Sequence, residues 1–387
     1  MIPKAVFEQT LLQFFEPIVP YLDDPSVSEV MINGPERIYV ERRGLLELTP
    51  ARFENVEALN AALRNLSQYL GRPISAERPI LEGRLPDGSR VEAVFPPVAL
   101  DGPQVAIRRF FKETLTLERL VGLGSLDPVL ANALAAFVEA KVNLLIAGGT
   151  GSGKTSMLNA LSGLIPDGER VVVIEDSREI QFQKPHVVQL EARPPDSKGR
   201  GAVTIRELFR ATLRMRPDRV VVGEIRGGEA LDIVQAMTSG HGGCMGTLHA
   251  SYPRDTLTRL ETMAMMSDVE LPLSALRSQI GSGIQLVLQV SRLKDGSRKV
   301  THLTEVVGFD PATQRYELRD LFVREYSGVD EAGRIVSELV PTGELPSFMH
   351  QLAEHAVELP EPVLRRAAER AANPGFSVDS KSGVRAA

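Results

Sequence analysis

A glycine-rich run, Gly148-Gly149-Thr150-Gly151-Ser152-Gly153-Lys154-Thr155, separates an apolar segment of β type from a helical segment. Its spacing, a glycine followed by four residues and then Gly-Lys-Thr, is that of a phosphate-binding loop. Glycines let the backbone wrap closely, so that successive N–H groups point at phosphate oxygens. A glycine-rich turn without a ligand is the weaker interpretation, because the strand and the helix that the loop requires are both predicted. This part of the chain is therefore committed to an α/β fold.

Two side chains of the loop have predicted roles. Lys154 is expected to reach the β- and γ-phosphates of a nucleotide, and Thr155 is expected to place its hydroxyl on Mg²⁺. The helix that begins here adds a partial positive charge beside the phosphates. ATP and Mg²⁺ are the predicted ligands.

Beyond residue 126, short β-branched runs alternate with helical stretches. Alternation of this kind is typical of strands that are buried on both faces of a mostly parallel sheet. The predicted strands are 142–147, 171–175, 187–190, 220–223 and 245–248, and the predicted helices include 129–141 and 204–215.

At 387 residues, the chain exceeds what one hydrophobic core usually serves, so two domains are expected. The predicted organisation is a smaller α+β domain at 1–113, a linker at 114–126, an α/β domain at 127–320 and a helical extension with a disordered tail at 321–387. The first domain is predicted to contain helices at 7–16 and 56–70, a hairpin of 38–42 with 45–48, and strands at 91–95 and 105–110. Helices are also predicted at 347–357 and 362–372.

Two predicted strands end in carboxylates, and ligands of a parallel sheet lie beyond the carboxyl ends of its strands. Glu175 ends one of these strands and Glu224 follows another. Hydrolysis requires one acid to help hold Mg²⁺ and another to orient the attacking water. We assign Glu224 to the metal, through water, and Glu175 to the attacking water, with Glu179 as the reserve for either role. Helix capping or an ion pair is the alternative role, above all for Asp176 and Glu179.

Two of the six histidines, His241 and His249, flank the predicted strand at 245–248. A histidine beside a nucleotide can sense the γ-phosphate, because its charge changes near neutral pH. A purely structural role is the alternative. Placement next to the Glu224 strand favours sensing.

Arginines could neutralise the phosphate charge. Arg90, Arg108 and Arg109 of the first domain are candidates if that domain folds over the nucleotide. A second set lies four residues apart on one helical face, and it could meet a neighbouring subunit's nucleotide or nucleic acid, or be solvated or internally paired. The last is the commonest outcome for a charge run. This second set is Arg206, Arg210 and Arg214.

The composition limits which partners and which cellular compartment are expected for the protein. The formal net charge of −6 argues against a protein that coats nucleic acid, and a single cysteine, Cys244, excludes an intrachain disulfide and a cysteine-rich zinc site. No run approaches the roughly 18 apolar residues of a spanning helix, and residues 1–9 lack the order of a signal peptide. We expect a soluble cytoplasmic protein without direct membrane insertion.

In combination, these motifs resemble those of the type II/IV secretion ATPase superfamily, and most closely those of the branch that drives tight-adherence (Tad) pili. The resemblance extends from about residue 22 to about residue 308. In the first domain it rests on Asp24-Pro25, Ile32-Asn33-Gly34, Val40-Glu41-Arg42, Leu85-Pro86-Asp87-Gly88-Ser89-Arg90 and Ile107-Arg108-Arg109-Phe110. In the second it rests on the phosphate loop, Ile174-Glu175-Asp176, Leu213-Arg214-Met215-Arg216-Pro217-Asp218-Arg219, Gly223-Glu224, Gly240-His241 and His249-Ala250.

The resemblance implies a RecA-like ATPase domain preceded by a smaller PAS-like α+β domain. It also implies a homohexamer that holds ATP between the two domains and across subunit edges. An acidic box at 175–179, the strand acid Glu224 and a histidine box at 241–249 would serve hydrolysis. The implied partners are platform proteins of the inner membrane, and the implied function is a motor for pilus assembly, for retraction, or for secretion of substrates.

Two differences from the family pattern bear on which branch of the family the chain resembles. Motors for pilus extension and type II secretion usually carry a tetracysteine zinc insert, which a chain with one cysteine lacks. Ser156 follows Thr155 where many relatives have a second threonine, and this change leaves the Mg²⁺ hydroxyl in place. A conjugation or type IV secretion ATPase that moves DNA or protein is the alternative, and a monomeric P-loop kinase is a more distant one.

Overall fold

The chain contains two β-sheets, one in each of two units of unequal length. The chain divides into two units, Met1–Glu113 and Thr114–Ala387. The structure is a computed structural model, and it describes residues 10–110, 115–182, 184–195 and 199–373. The predicted disordered tail lies outside the described residues from position 374 onward.

The first unit is a six-stranded antiparallel sheet with a long helix packed on it. Its strands are β1 (Val27–Asn33), β2 (Arg37–Arg42), β3 (Leu45–Leu48), β4 (Ile80–Arg84), β5 (Arg90–Val94) and β6 (Gln104–Arg108), in the spatial order β3-β2-β1-β6-β5-β4. Its helical elements include a 3-10 turn at Glu16–Ile18, helix α1 (Val19–Asp23) and helix α2 (Val56–Leu70).

Helix α2 follows from its local sequence. Asn55 caps the first turn by accepting a hydrogen bond from the Ala58 N–H at 2.8 Å, and Gly71 ends the helix in the left-handed region at φ +64°. Leu59 and Leu63, four residues apart, are buried in the core that also holds strand residues.

Several predictions for this unit are confirmed. Helix α2 and the β2–β3 hairpin occur where the sequence places them. The helix predicted at 7–16 is helical over residues 10–14, and its earlier part lies outside the described residues.

The second unit is a nine-stranded sheet flanked by helices. Its strands are β7 (Leu144–Gly148), β8 (Val171–Glu175), β9 (Val187–Glu191), β10 (Arg219–Val222), β11 (Met245–His249), β12 (Leu286–Arg292), β13 (Arg298–Asp310), β14 (Arg315–Val329) and β15 (Ile335–Pro341). Its helices are α3 (Leu117–Gly122), α4 (Pro128–Glu139), α5 (Lys154–Ser162), α6 (Ile205–Thr212), α7 (Glu229–Thr238), α8 (Pro253–Ala264), α9 (Leu273–Gly283), α10 (Met349–Glu354) and α11 (Glu361–Ala372).

The strand order in this sheet is β15-β14-β13-β12-β7-β11-β10-β8-β9. Neighbours from β12 to β9 are parallel, whereas β12 to β15 form an antiparallel series. Leu144 and Ile146 of β7 pack into one core, and Leu145 and Ala147 pack into another on the opposite face. The continuous apolar run of β7 is therefore explained by burial on both faces, and the predicted α/β class is confirmed.

Two predicted segments are wrong. The extension that begins at 321 is not purely helical, because β14 runs through this position and β15 follows it before α10 and α11. The linker predicted at 114–126 contains α3, which begins after its cap Thr116. Leu117 and Leu120 of α3 are buried in the same core as β7, so this segment belongs to the second unit.

The parallel strands bring several loops to one edge of the sheet. Strands β7, β11, β10 and β8 are neighbours that run in one direction, so their carboxyl ends meet. His249 at the end of β11 pairs with Gly148 at the end of β7. Within the described residues, no helix has the length and apolar character needed to cross a membrane.

Candidate functional site

The phosphate loop follows β7 and leads into α5. Gly151 and Gly153 adopt left-handed conformations, at φ +68° and +96°, which favour glycine. Gly148 has no room for a side chain, because a Cβ there would lie 2.4 Å from both the Ser152 Oγ and the Val290 carbonyl oxygen. No side chain caps the first turn of α5, so its backbone N–H groups suit an anion.

Lys154 lies at the start of α5 with its ammonium group directed back to the loop. The residue is only 7% exposed. Its Nζ donates a hydrogen bond to the Gly149 carbonyl at 3.0 Å and lies 3.3 Å from the His249 Nδ1. The ammonium is thus held where a phosphate on the loop would meet it.

The partners of His249 define its protonation state. A lysine ammonium can only donate, so the His249 Nδ1 accepts from Lys154, and the Nε2–H then donates to the Glu224 Oε1 at 3.0 Å. Burial and the charge of Lys154 lower the pKa of His249, and the Glu224 carboxylate offsets them only in part. The ring is therefore neutral at physiological pH, with its proton on Nε2.

Glu224 follows β10 and joins this arrangement to a further arginine. Its Oε2 accepts a hydrogen bond from the Arg226 Nη2 at 2.8 Å, and Arg226 also pairs with Asp176 at 3.1 Å. Burial raises the pKa of Glu224, but the Arg226 hydrogen bond and the charges of Arg226, His249 and Lys154 outweigh burial and lower it. Glu224 is therefore a carboxylate at neutral pH.

Glu175 ends β8 and is 4% exposed. Its Oε1 accepts hydrogen bonds from the backbone N–H groups of Glu179 and Ile180 at 2.8 and 2.9 Å. Gly223 on the neighbouring strand leaves room for it, because a Cβ there would lie 2.8 Å from the Glu175 Cγ. The buried carboxylate thereby fixes the conformation of the acidic box at 175–179.

The residues present fit a magnesium nucleotide. The glycine cradle, the uncapped helix start and the Lys154 ammonium suit phosphates, and Thr155 and Glu224 provide a hydroxyl and a carboxylate at the same sheet edge. In the part of the chain that the structure describes, no group of three or more His, Cys, Asp or Glu side chains could hold a metal ion. Mg²⁺ in nucleotide sites is usually held by one or two protein oxygens together with phosphates and waters.

The structure separates the two histidines that the sequence grouped together. His241 precedes β11 and His249 ends it, so they lie at opposite ends of this strand, which is about 13 Å long by strand rise. The backbone N–H of His241 bonds to Ala236, and its carbonyl accepts from the Cys244 thiol. His241 therefore takes no part in the phosphate site of its own chain, and the sensing role predicted for it is wrong there.

Two of the three helical arginines, Arg206 and Arg210, are internally paired, as the commonest of the three interpretations predicts, whereas Arg214 lies beyond the end of α6. Arg206 and Arg210 on α6 each donate to Asp232 on α7 at 2.7 Å. Arg206 also pairs with Asp268 at 2.9 Å. The basic face is thus used to join helices within the second unit.

The first-unit arginines divide into two groups. Arg84, Arg90 and Arg108 lie side by side in register across β4, β5 and β6, so they share one face of the sheet. Arg109 instead donates to the backbone carbonyls of Asp24 and Val27, the latter at 2.8 Å. Arg109 therefore buttresses its own unit, which argues against a charge-neutralising role.

Three arginines at the site were missed by the sequence analysis. Arg226 bridges Glu224 and Asp176, and Arg292 and Arg298 border the phosphate loop from the β12–β13 hairpin. Arg226 stands two residues after Glu224, a spacing that could have identified it. The hairpin arginines carry no local motif, since Arg298 meets Gly151 across 147 residues of sequence.

A phosphate loop, a buried lysine and a carboxylate at the carboxyl edge of a mostly parallel sheet define a P-loop nucleotide-binding protein. The family described as "Type II/IV secretion system protein" matches residues 12–354, so the chain belongs to that family. The relatives found include proteins of conjugal transfer and of type IV secretion systems.

Two curated relatives and one solved structure illustrate this membership. The type IV secretion system protein PtlH of Bordetella pertussis is 36% identical over 298 residues, which cover 70% of this chain and 88% of that protein. The conjugal transfer protein TrbB of Rhizobium radiobacter is 32% identical and covers 74% of this chain and 86% of that protein. The Legionella pneumophila ATPase DotB superposes with a TM-score of 0.53 at 21% identity, covering 78% and 82% of the two chains, which supports the RecA-like fold.

Proposed function

We propose that the protein hydrolyses ATP and couples hydrolysis to the work of a secretion or pilus machine. The observation that carries the proposal is the hydrogen-bonded series from Lys154 through His249 to Glu224, which begins on an uncapped phosphate loop. In this proposal, the series joins a phosphate-binding lysine, a proton-responsive ring and the acid that is assigned to the metal.

Each residue of the site has a proposed role. Lys154 binds the β- and γ-phosphates, and Thr155 with Glu224 holds Mg²⁺, the latter through water. Bound Mg·ATP supplies the phosphoryl group and the charge of the cation. Glu175 is the proposed residue for orienting the attacking water, with Glu179 as the reserve, because both belong to the box that ends β8.

His249 is the proposed sensor of the γ-phosphate. Its neutral ring accepts from Lys154 and donates to Glu224, so a phosphate that draws the lysine away changes the partner of Nδ1. The change reaches Glu224 through the other ring nitrogen. Binding of a phosphate to the loop can therefore change the hydrogen bonding of Glu224 without movement of the backbone.

A ring of six chains is the proposed working form, on the strength of the family membership. In such a ring, Arg90 and Arg108, which lie opposite each other on β5 and β6, are the proposed residues for neutralising phosphate charge. Platform proteins of the inner membrane are the proposed partners, and they would hold this cytoplasmic ATPase at the membrane periphery.

For the branch, we propose assembly of a Tad or type IV-like pilus as the first candidate. It is supported by the motif series of the first unit and by the single cysteine, which leaves no zinc insert of the type II secretion kind. Type IV secretion or conjugal transfer is the second candidate, and the names of the PtlH and TrbB relatives favour it.

The test of hydrolysis is phosphate release from Mg·ATP by the purified full chain over a range of protein concentrations, with Lys154→Ala as the control. We expect turnover per chain to rise with concentration, as a ring requires, and to vanish in the control. Absence of release at every concentration, with or without added membranes, would refute the proposal.

The two branches differ in cargo, so the second test adds single-stranded DNA to the same assay. The pilus assignment predicts unchanged turnover at physiological salt. Stimulation that saturates with DNA concentration would favour conjugal transfer instead.

A further inference from the structure

Strand β7 lies between β12 and β11, so the phosphate loop has a neighbour on each side. His249 at the end of β11 is on one side, and the β12–β13 hairpin is on the other. Arg292 and Arg298 are paired across this hairpin. The hairpin therefore presents two guanidinium groups to the loop.

Both arginines reach the tip of the loop. The Arg298 Nε donates a hydrogen bond to the Gly151 carbonyl at 2.8 Å. A Cβ on Gly151 would lie 3.4 Å from the Arg292 Nη1, and a Cβ on Gly153 would lie 3.5 Å from the Arg298 Cδ. The Arg292 guanidinium thus borders Gly151, and the aliphatic part of Arg298 borders Gly153.

We propose that Arg298 is a positioning residue of the nucleotide site, which holds the tip of the phosphate loop in its binding conformation through the Gly151 carbonyl. Arg292 adds a second positive charge on the same side. The inference rests on the proposed function, because it concerns the same loop.

The physical reason lies in the peptide unit that joins Gly151 to Ser152. The Arg298 guanidinium polarises the carbonyl at one end of this unit, which makes the Ser152 N–H at the other end a stronger donor. This N–H bonds to the Gly149 carbonyl oxygen at a long 3.4 Å, and phosphate loops bind their ligand through N–H groups of this kind. The hydrogen bond from Arg298 on the outer side of the loop therefore strengthens a donor that can bind phosphate.

The second reason is conformational. Gly151 and Gly153 both sit at positive φ, and glycine-rich backbone loses the most freedom when it is ordered. A charge-assisted hydrogen bond from a rigid hairpin supplies part of that ordering before the nucleotide arrives, which raises affinity.

The hairpin itself is rigidly supported. The Leu293 N–H donates to the Ser297 carbonyl at 2.8 Å, and the Asp295 Oδ1 accepts from the Ser297 N–H and hydroxyl. The Asp295 Oδ2 accepts from the Ile335 N–H of β15 at 2.8 Å. The carboxyl-terminal strands, which the sequence analysis took for a helical extension, therefore support the hairpin that holds the loop.

The test compares Arg298→Leu and Arg298→Gln with Arg334→Leu, a change at an arginine of the same region that is 76% exposed. A fluorescent ADP analogue, mant-ADP, reports the dissociation constant with the full chain, and thermal unfolding without nucleotide confirms folding. We expect Arg298→Leu to weaken binding on the order of tenfold. Arg298→Gln should recover part of the loss because its amide can still donate, and Arg334→Leu should bind as wild type does.

Steady-state kinetics supply an independent readout. Arg298→Leu should raise KM for ATP with kcat nearly unchanged, since the loop is positioned equally for the ground state and the transition state. Folded Arg298→Leu that binds mant-ADP as tightly as wild type, while Lys154→Ala does not bind, would overturn the inference and leave the proposed function standing. If the wild type itself does not bind mant-ADP, the proposed function is refuted instead.

Discussion

The two ends of the parallel strands in the second unit carry the same kinds of side chain for opposite purposes. At the carboxyl end, His249 and Glu224 are hydrogen-bonded to each other with 37% and 22% of their side chains exposed. At the amino end, the Arg219 side chain is fully buried and pairs with Glu169. Residue type alone therefore does not identify a site, whereas the end of the strand on which it lies does.

The amino end is a packing arrangement around Arg219. Its Nε donates to the Glu169 carboxylate at 2.5 Å, and Lys141 lies 3.6 Å from the same carboxylate. Gly243 covers the guanidinium at φ +73°, where a Cβ would lie 2.7 Å from the Arg219 Nη1. Gly243, two residues after His241, is thus required for close packing over an arginine.

The largest effect expected from this comparison is on turnover at the carboxyl end. Glu224→Gln keeps the shape of the side chain but removes the charge that is proposed to face Mg²⁺, so ATP turnover should fall by about 10² to 10³ with nucleotide binding retained. Phosphate release and mant-ADP titration measure the two quantities. Normal turnover in this variant would remove Glu224 from the mechanism.

The matched change at the amino end is Glu169→Gln. It leaves the buried Arg219 without its full countercharge, so the free energy of unfolding should fall by about 3 kcal/mol, as when a buried pair is broken. Turnover per folded chain should stay unchanged. Urea unfolding gives the stability, and equal stability of variant and wild type would show that the Arg219 pair is not structural.

A glycine pair tests the packing over Arg219. Gly243→Ala forces a Cβ against the guanidinium, and we expect a loss of about 2 kcal/mol. Gly240→Ala is the control, because Gly240 also has positive φ but nothing lies within 4 Å of its Cβ position. The control should lose only about 1 kcal/mol, for backbone strain alone. Equal losses in the two variants would contradict the account of Gly243.

The two histidines give the next contrast. His249→Ala should lower turnover by about tenfold, because Lys154 and Glu224 lose the ring between them. His241→Ala should leave turnover within a factor of about two, since His241 is at the other end of β11. Phosphate release under saturating ATP measures both. A larger loss of turnover in His241→Ala than in His249→Ala would show that His241 belongs to the site.

The smallest expected effect is on pH dependence. Because the pKa of His249 is lowered in the folded chain, the unfolded chain binds the additional proton first as the pH falls below about 6.5, and the free energy of unfolding decreases there. The His249→Asn variant has no imidazole at this position, so its free energy of unfolding does not show this decrease. The stability difference between wild type and variant should therefore be smaller at about pH 5.5 than at about pH 7.5, whereas a raised histidine pKa would enlarge it.

The sequence predicted those parts of the fold and site that depend on local pattern. The phosphate loop needs only eight consecutive residues, and the apolar runs of β7, β8, β10 and β11 are typical of doubly buried strands. Helix α2 was predicted with its full bounds from its helical period over 56–70, and in the structure Asn55 and Gly71 cap its two ends.

What the sequence did not predict depends on contacts that are remote along the chain. Thr304 and Glu305 of β13 are buried, which breaks the apolar pattern of a strand, but Asp320 and Ser347 satisfy them. Arg298 became part of the candidate site only through the pairing of β12 with β7. The roles of His241 and His249 could not be separated without knowing which end of β11 each occupies.

The most direct test of the central claim, that the carboxyl end of the sheet is the nucleotide site, is hydrogen exchange of the full chain with and without a non-hydrolysable Mg·ATP analogue. The account predicts slower exchange in peptides covering 148–156, with Lys154→Ala abolishing the protection, and no change at 166–170, beside the Arg219 pair. Protection at 166–170 without protection of the phosphate loop would contradict it.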